Sequence, residues 1–460
     1  MTEIEDVDRI SSLPDEILTH ILSFLETREA IATSVLSKRW EFIWTTVPVI
    51  YILEHKIQSS LSFKAFVDRV LILNDAPFLR LFRLQFTNDI LHVCSWMRNV
   101  MRRNIFEIKV WRMMTLEEEK VRPLKGNLVS ENLKVLKLYG DSIAPWFSLS
   151  NLFLPKLLIF HLENFDFIDD DVCLDDIFWS GLPCLEEFVI SFCQNLGSVC
   201  FRSSSLRRLE IRCILTGSKS RTLIIDAPSL EYLSIDDNFL DIKLKINAPS
   251  LIEAHFGLWG YGSGIELVEI LKQFPSLKTL DIFTSAELFH HFVAGLRAVI
   301  QFPLFPKLKC LDVSHFWFYR KHPSHLTIMV LLCEHAPNLV SLKYGDKDPM
   351  SDCESEEPYY YLPPTVVPKC LSSTLKVIDM YSYQMIDDVV TKYLLQYATR
   401  SLKPLESRLC YVKLASPAGC TSAVLMFVYA SGLIYFCFFS MVISSTSTFF
   451  SLIAPKYCAW

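Results

Sequence analysis

Residues 227–235 read APSLEYLSI. The proline pre-sets one backbone angle of a turn. Leu230, Leu233 and Ile235 then fall in an L-x-x-L-x-L spacing, whose last residues alternate apolar and polar. Alternation of that kind gives a short strand with one face to bury. The same unit returns as APSLIEAHF from Ala248, FPSLKTLDI from Phe274, FPKLKCLDV from Phe305 and APNLVSLKY from Ala336. Upstream copies are ENLKVLKL at Leu133, PKLLIFHL at Leu157, PCLEEFVI at Leu185 and SSLRRLEI at Leu206, and STLKVIDM at Leu375 lies downstream. LFRLQF from Leu81 and IFEIKV from Ile105 are weaker copies. First leucines lie 21 to 36 residues apart, the last three steps being the longest. A leucine-rich repeat is about 20–29 residues long, so the last steps carry insertions.

No single copy can bury its own leucines, so neighbours must stack. The reading is an α/β fold, a curved leucine-rich-repeat solenoid with parallel strands over 78–345. Side chains between the leucines then point outward. Among them are Lys137, Tyr139, Glu187, Lys343 and a set nominated for substrate binding: Arg208, Glu210, Arg212, Tyr232, Asp236, Asp281, Phe283 and Asp312. The mix is polar and aromatic, as in a protein-binding face. Only Cys193 and Asn238 stand where such repeats usually place Asn or Cys, so the turns are expected to be irregular.

The 460 residues are 51% apolar, enough to fill a large core, and wholesale disorder is excluded. The net charge is −6 with scattered basic residues, which argues against a nucleic-acid surface. Fourteen cysteines include no C-x-x-C pair, so a reducing compartment fits better than a disulfide framework. Cys184, Cys310 and Cys333 read as small core residues. The acidic start MTEIEDVDRI is neither a signal nor a transit peptide.

Ahead of the repeats, Leu13-Pro14-Asp15-Glu16 opens an amphipathic helix carrying Ile17, Leu18, Ile21 and Leu22. Thr27 is a candidate N-cap for a second helix with Ile31, Val35 and Leu36, and a third short segment carries Arg39, Trp40, Ile43 and Trp44 up to Pro48. Three such helices make a face that either caps the solenoid or docks on a partner. The run DRISSLPDEILTHILSFLETREAIATSVLSKRWEFIW, residues 8–44, resembles a plant-type F-box. Glu26, Ile43 and the VIYIL after Pro48 depart from the usual pattern without removing the apolar face. The resemblance places an F-box over 8–50. It implies docking on a Skp-family adaptor of a cullin-RING ubiquitin ligase through Leu13, Pro14, Ile17, Leu18, Ile21, Leu22, Val35, Leu36, Trp40 and Trp44. Some of these must hold the helices together instead.

Other motifs fail on spacing. Gly257, Gly260, Gly262 and Gly264 lack the Gly-Lys-Ser/Thr of a phosphate loop. Asp169, Asp170, Asp171, Asp175 and Asp176 lack the glycine and final glutamate of a calcium loop. His290, His291, His322 and His325 form no ligand set. No catalytic constellation or cofactor site is read. The segment from Ile90 to Arg103 is a plausible amphipathic helix.

Residues 346–364 are acidic, then proline-rich, and read as a linker. Residues 365–412 resemble the FBD region found after such repeats in plant F-box proteins. The tail, 416–460, is apolar, and Ala423 to Ile443 is long enough to span a bilayer. It fits a membrane anchor, a helix closing the solenoid, or an aberrant end such as read-through of non-coding sequence. The expected function is a non-enzymatic substrate receptor of an SCF-type ubiquitin ligase, nuclear or cytoplasmic, that binds a protein substrate. The alternative is a non-degradative leucine-rich-repeat scaffold, possible membrane attachment through 423–443 applying to both.

Overall fold

The proline lead-ins fold as one repeated turn. The backbone N–H of Leu251 donates to Ala248 O at 3.1 Å, Leu277 to Phe274 O at 3.3 Å, Leu308 to Phe305 O at 3.3 Å and Leu339 to Ala336 O at 3.1 Å. In each the proline occupies the second turn position, where its fixed angle costs nothing. The turn aims the first leucine inward: Leu230, Leu277, Leu308 and Leu339 are each fully buried. The computed structural model describes residues 10, 12–57, 60–87, 90–113, 127–143, 149, 152–167, 174, 176–194, 199–212, 222–238, 243–259, 269–285, 303–316, 324–346, 367–380, 393, 410–415, 421–430, 433–444 and 447–452. They divide into two units, Met1–Ala227 and Pro228–Trp460.

The first unit opens with helices α1 (Asp15–Leu22) and α2 (Thr27–Ala32), followed by 3-10 turns at Thr33–Val35 and Ile43–Thr46. Asp15 and Glu16 sit in the first turn of α1, where the helix dipole favours them. Thr27 does not cap α2. Glu26 holds the cap position, and Thr27 is buried with its hydroxyl accepting from the backbone N–H of Tyr51.

Then follow β1 (Val49–Leu53), α3 (Ser60–Leu73), β2 (Leu79–Phe86), α4 (Ile90–Arg102) and β3 (Ile105–Arg112). Next come β4 (Leu128–Val129), β5 (Val135–Ile143), β6 (Leu152–Phe153), β7 (Ile159–Phe165) and α5 (Asp176–Ser180). The unit ends with β8 (Glu187–Ser191), β9 (Val199–Arg202), β10 (Arg208–Arg212) and β11 (Thr222–Asp226). Strands β1, β2, β3, β5, β7, β8 and β10 lie side by side, every pair parallel. Short parallel pairs β4–β6 and β9–β11 form beside them. The two weak copies are therefore full strands, and VIYIL, at the F-box departure, supplies the first one. Behind the sheet, Phe160, Phe178, Trp179, Phe188 and Phe201 form a chain of ring contacts between 4.9 and 6.4 Å.

The second unit contains β12 (Tyr232–Asn238), β13 (Lys243–Asn247), β14 (Glu253–Trp259), β15 (Thr279–Ser285), β16 (Cys310–Phe316), α6 (Ser324–Glu334) and β17 (Ser341–Asp346). It continues with α7 (Lys369–Ser373), β18 (Val377–Met380), β19 (Cys410–Ala415), β20 (Thr421–Ala430), β21 (Leu433–Ser444) and β22 (Ser447–Leu452). Strands β12, β14, β15, β16, β17, β18 and β19 pair in parallel. From β19 to β22 the pairing turns antiparallel.

Two sequence expectations are corrected. Ala423 to Ile443 is long enough to span a bilayer as a helix, and a helix closing the solenoid is one of its three readings; its described residues instead lie in β20 and β21, which pair with each other. The stretch is rich in Val, Ile, Phe and Tyr, which favour strands, and Ser431-Gly432 divides it. No helix among the described residues is long and apolar enough to cross a membrane. Cys333 is buried, but Cys184 and Cys310 are exposed. Cys310 immediately precedes the buried Leu311, so alternation turns it outward. Most of 365–412 and all of the linker 346–364 beyond Asp346 lie outside the described residues, as do Gly260, Gly262, Gly264, Asp169, Asp170, Asp171, Asp175, His290, His291 and His322.

Candidate functional site: the N-terminal face and the open face of the strands

The N-terminal helices share one small core. Leu18, Leu22, Ala30, Trp40, Ile43, Trp44, Val47 and Val49 are buried together, with Leu13, Tyr51 and Leu81 packed against them. Val49, Tyr51 and Leu81 belong to the first strands, so the solenoid completes the module's core. Asn74 Nδ2 donates to Val47 O at 3.0 Å, and Arg80 Nη2 donates to Ser23 Oγ at 3.3 Å across the same seam. Arg39 ties the loop before Trp40 to α1, pairing with Asp15 at 2.6 Å and donating to Leu13 O.

This core sorts the residues nominated for the adaptor. Leu18, Leu22, Trp40 and Trp44 point inward, and Leu13 is half-buried against them, so these five hold the module together. Pro14, Ile17, Ile21, Val35 and Leu36 are exposed, Val35 at 87%. Leu18 and Leu22 occupy one stripe of α1, and Ile17 and Ile21 occupy the next, one residue earlier at the same four-residue step. Phe24 at 71% and Phe42 at 65% join the exposed set and were not singled out from sequence. Phe24 lies in the turn just past α1, its N–H donating to Ile21 O at 3.2 Å, and its ring meets His20 edge-on at 4.9 Å. Six large apolar side chains of this small module, Ile17, Ile21, Phe24, Val35, Leu36 and Phe42, are thus exposed.

The open face of the strands carries the second candidate. Register aligns Tyr51, Arg83, Lys109, Lys137 and His161 in one row across β1, β2, β3, β5 and β7. The next row runs through Gln85, Trp111, Tyr139 and Glu163. The Arg83 guanidinium lies 4.4 Å from the Tyr51 ring centre and 5.0 Å from that of Trp111. Trp111 and Tyr139 stack at 4.8 Å with 3° between their planes. Burial lowers the pKa of His161, aided by the charge of Lys137, although Glu187 accepts from its Nε2 at 2.7 Å.

Among the nominated substrate residues, Arg208 and Arg212 both grip Glu210, Arg212 at 2.9 Å. Glu210 is buried, so its carboxylate serves to hold those two guanidinium groups. In the second unit, His255 lies between Asp281 at 3.1 Å and Glu253 at 2.8 Å, with Tyr232 tilted against its ring at 5.0 Å. Burial opposes a charge on His255, but the two hydrogen bonds and both carboxylate charges outweigh it and raise the pKa. Asp281, Asp312 and Lys343 share its row by register. Asp236 faces Gly257, where an added Cβ would come within 2.4 Å of its Oδ1. The side chain of Phe283 lies outside the described residues. Sequence alone missed Arg83 and Trp111, whose alternation in LRLFRLQF and IFEIKVWR was the available signal.

A helical module with exposed apolar side chains shares its core with the first strands of a parallel leucine-rich solenoid, a protein of two joined parts. The F-box domain model matches residues 10–51. An F-box/FBD/LRR-repeat protein of Arabidopsis thaliana is 30% identical over 388 residues, covering 82% of this chain and 87% of the relative. A second protein so described, from the same plant, is 30% identical over 87% of this chain and 92% of its own length. An F-box/LRR-repeat protein of that plant is 34% identical over 55% of the chain and 68% of the relative. The chain belongs to the F-box/FBD/LRR-repeat family.

Proposed function

We propose that the protein is the substrate-recognition subunit of an SCF-type ubiquitin ligase. The observation that carries this reading is the exposure of Ile17, Ile21, Val35 and Leu36 on a module whose core is already complete. These side chains lie outside the buried core, and F-box domains generally bind Skp-family adaptors of cullin-RING ligases. Burying each such side chain is worth about 1.5–3 kcal/mol, enough in combination for a specific contact. The strands then hold a protein substrate near the ubiquitin-charged enzyme. The chain itself supplies positioning: it raises the local concentration of target lysines and needs no catalytic group of its own. Such a subunit would work in the nucleus or cytoplasm.

The test is a pull-down of a Skp-family adaptor with the full chain beside Ile17→Asp and Val35→Asp variants. Binding by the wild type and loss in both variants supports the reading. A folded wild type that captures no adaptor removes the ligase role and leaves a leucine-rich-repeat scaffold.

A further inference from the structure

We infer that the open face of β1, β2, β3 and β5 binds an acidic peptide segment of a protein partner, with Arg83 receiving a carboxylate. This deepens the receptor reading and rests on it for the partner's role as substrate. Arg83 is held between the rings of Tyr51 and Trp111, and Tyr139 backs the latter as a parallel second layer. Rings packed against the guanidinium from the strands on either side leave its N–H edges as the polar surface. That edge is a planar fork matched to a carboxylate, and its rotamer freedom is already spent. Tyr51, Arg83, Trp111 and Tyr139 are all half-buried, so the stack sits at the surface.

The neighbours fix the sign of the ligand. Lys109 pairs in register with Arg83, and Lys137 with Lys109. Glu107 engages Lys109, but among the described residues no carboxylate pairs with Arg83 or Lys137. Adjacent strands are about 4.8 Å apart, so Arg83 and Lys137 are roughly 10 Å apart. That is about the reach of three extended residues. In a polyproline II segment, acidic side chains three residues apart share one face at about 9 Å and would meet both cations, with the rings supporting the backbone between them. The row through His255 in the second unit carries Asp281 and Asp312, so a basic row is not a general property of these strands.

The experiment presents the full-length protein to an array of immobilised 12-residue peptides of varied composition, at two salt concentrations. Bound peptides should be enriched in Asp and Glu, and binding should weaken with salt. Arg83→Gln should lower binding of the acidic peptides by about tenfold or more. Arg83→Lys should recover little, because an ammonium keeps the charge but loses the fork. Lys137→Gln, which breaks no ion pair among the described residues, provides a second variant with native folding and should also weaken binding. Melting curves check each fold. Bound peptides without acidic enrichment would overturn the inference, as would equal binding of acidic peptides by wild type, Arg83→Gln and Lys137→Gln. An acidic preference lost in Arg83→Gln, together with failure to capture the adaptor, sustains this surface and removes the ligase reading.

Discussion

The hydroxyl of Thr27 accepts the backbone N–H of Tyr51 at 2.8 Å, joining α2 to the first strand of the solenoid. Thr27 is buried, so nothing replaces this bond once the oxygen is removed. Thr27→Val keeps the shape and leaves the Tyr51 N–H unpaired. The expected cost is about 1–3 kcal/mol, read as a lower urea midpoint with an unchanged slope.

Trp40→Ala and Val35→Asp should separate folding from binding. Trp40 is 4% exposed in the module's core, and its loss should cost about 3–5 kcal/mol. Val35 is 87% exposed, so Val35→Asp should change stability by no more than about 0.5 kcal/mol while abolishing adaptor capture. Equal melting losses in the two variants would contradict the division of the face made above.

His255 and His161 should titrate on opposite sides of the ordinary histidine value. The raised pKa of His255 means that its stabilisation is complete below about pH 6.5 and fades as pH climbs through its folded pKa. Only the imidazolium donates to Asp281 and Glu253 at once. The lowered pKa of His161 costs nothing above about pH 6.5 and destabilises as pH falls through its folded pKa. NMR titration of the ring protons gives the order directly. His255→Gln should flatten the stability loss on the alkaline side, and His161→Gln should improve acid tolerance.

Gly140 tests the packing between β5 and β7. An added Cβ would stand 2.3 Å from the backbone oxygen of Asn164 and 2.8 Å from the Phe165 ring. Asn164 has a positive φ of 63° within β7, where the register with β5 shifts, so its carbonyl sits at a local backbone kink and cannot retreat cheaply. Gly140→Ala should therefore cost about 1–3 kcal/mol in thermal or urea unfolding. A neutral result would mean that the strand shifts more freely than its register implies.

The repeating elements are readable because strand alternation recurs at every copy and a proline-set turn joins it at many of them. A proline-set turn precedes Leu277, Leu308 and Leu339, and strand alternation follows, so burial of those leucines needs no long-range information. The N-terminal face was harder. Ile17 and Leu18 are both apolar and adjacent, and only the partner surface from Val49 and Leu81 decides which faces inward. The Tyr51–Arg83–Trp111 stack was hidden for a related reason. It depends on register between strands separated by segments of unequal length, and the first of those strands lies where the sequence departs from the F-box pattern. The tail stays open between its readings in sequence because length and hydropathy do not distinguish a helix from paired strands, whereas its β-branched and aromatic content favours the strands of β20 and β21.

The shared core of the F-box and β1–β2 also makes the module a poor cassette. Cutting after residue 51, where the domain match ends, would expose Trp44 and Val47 and strand the Ser23 and Val47 contacts of Arg80 and Asn74. Swapping this F-box onto another solenoid should fail unless the first two strands travel with it. On the proposed reading, the same continuity fixes the angle between a ligand on the Arg83 row and an adaptor at Val35, because the two surfaces share one core.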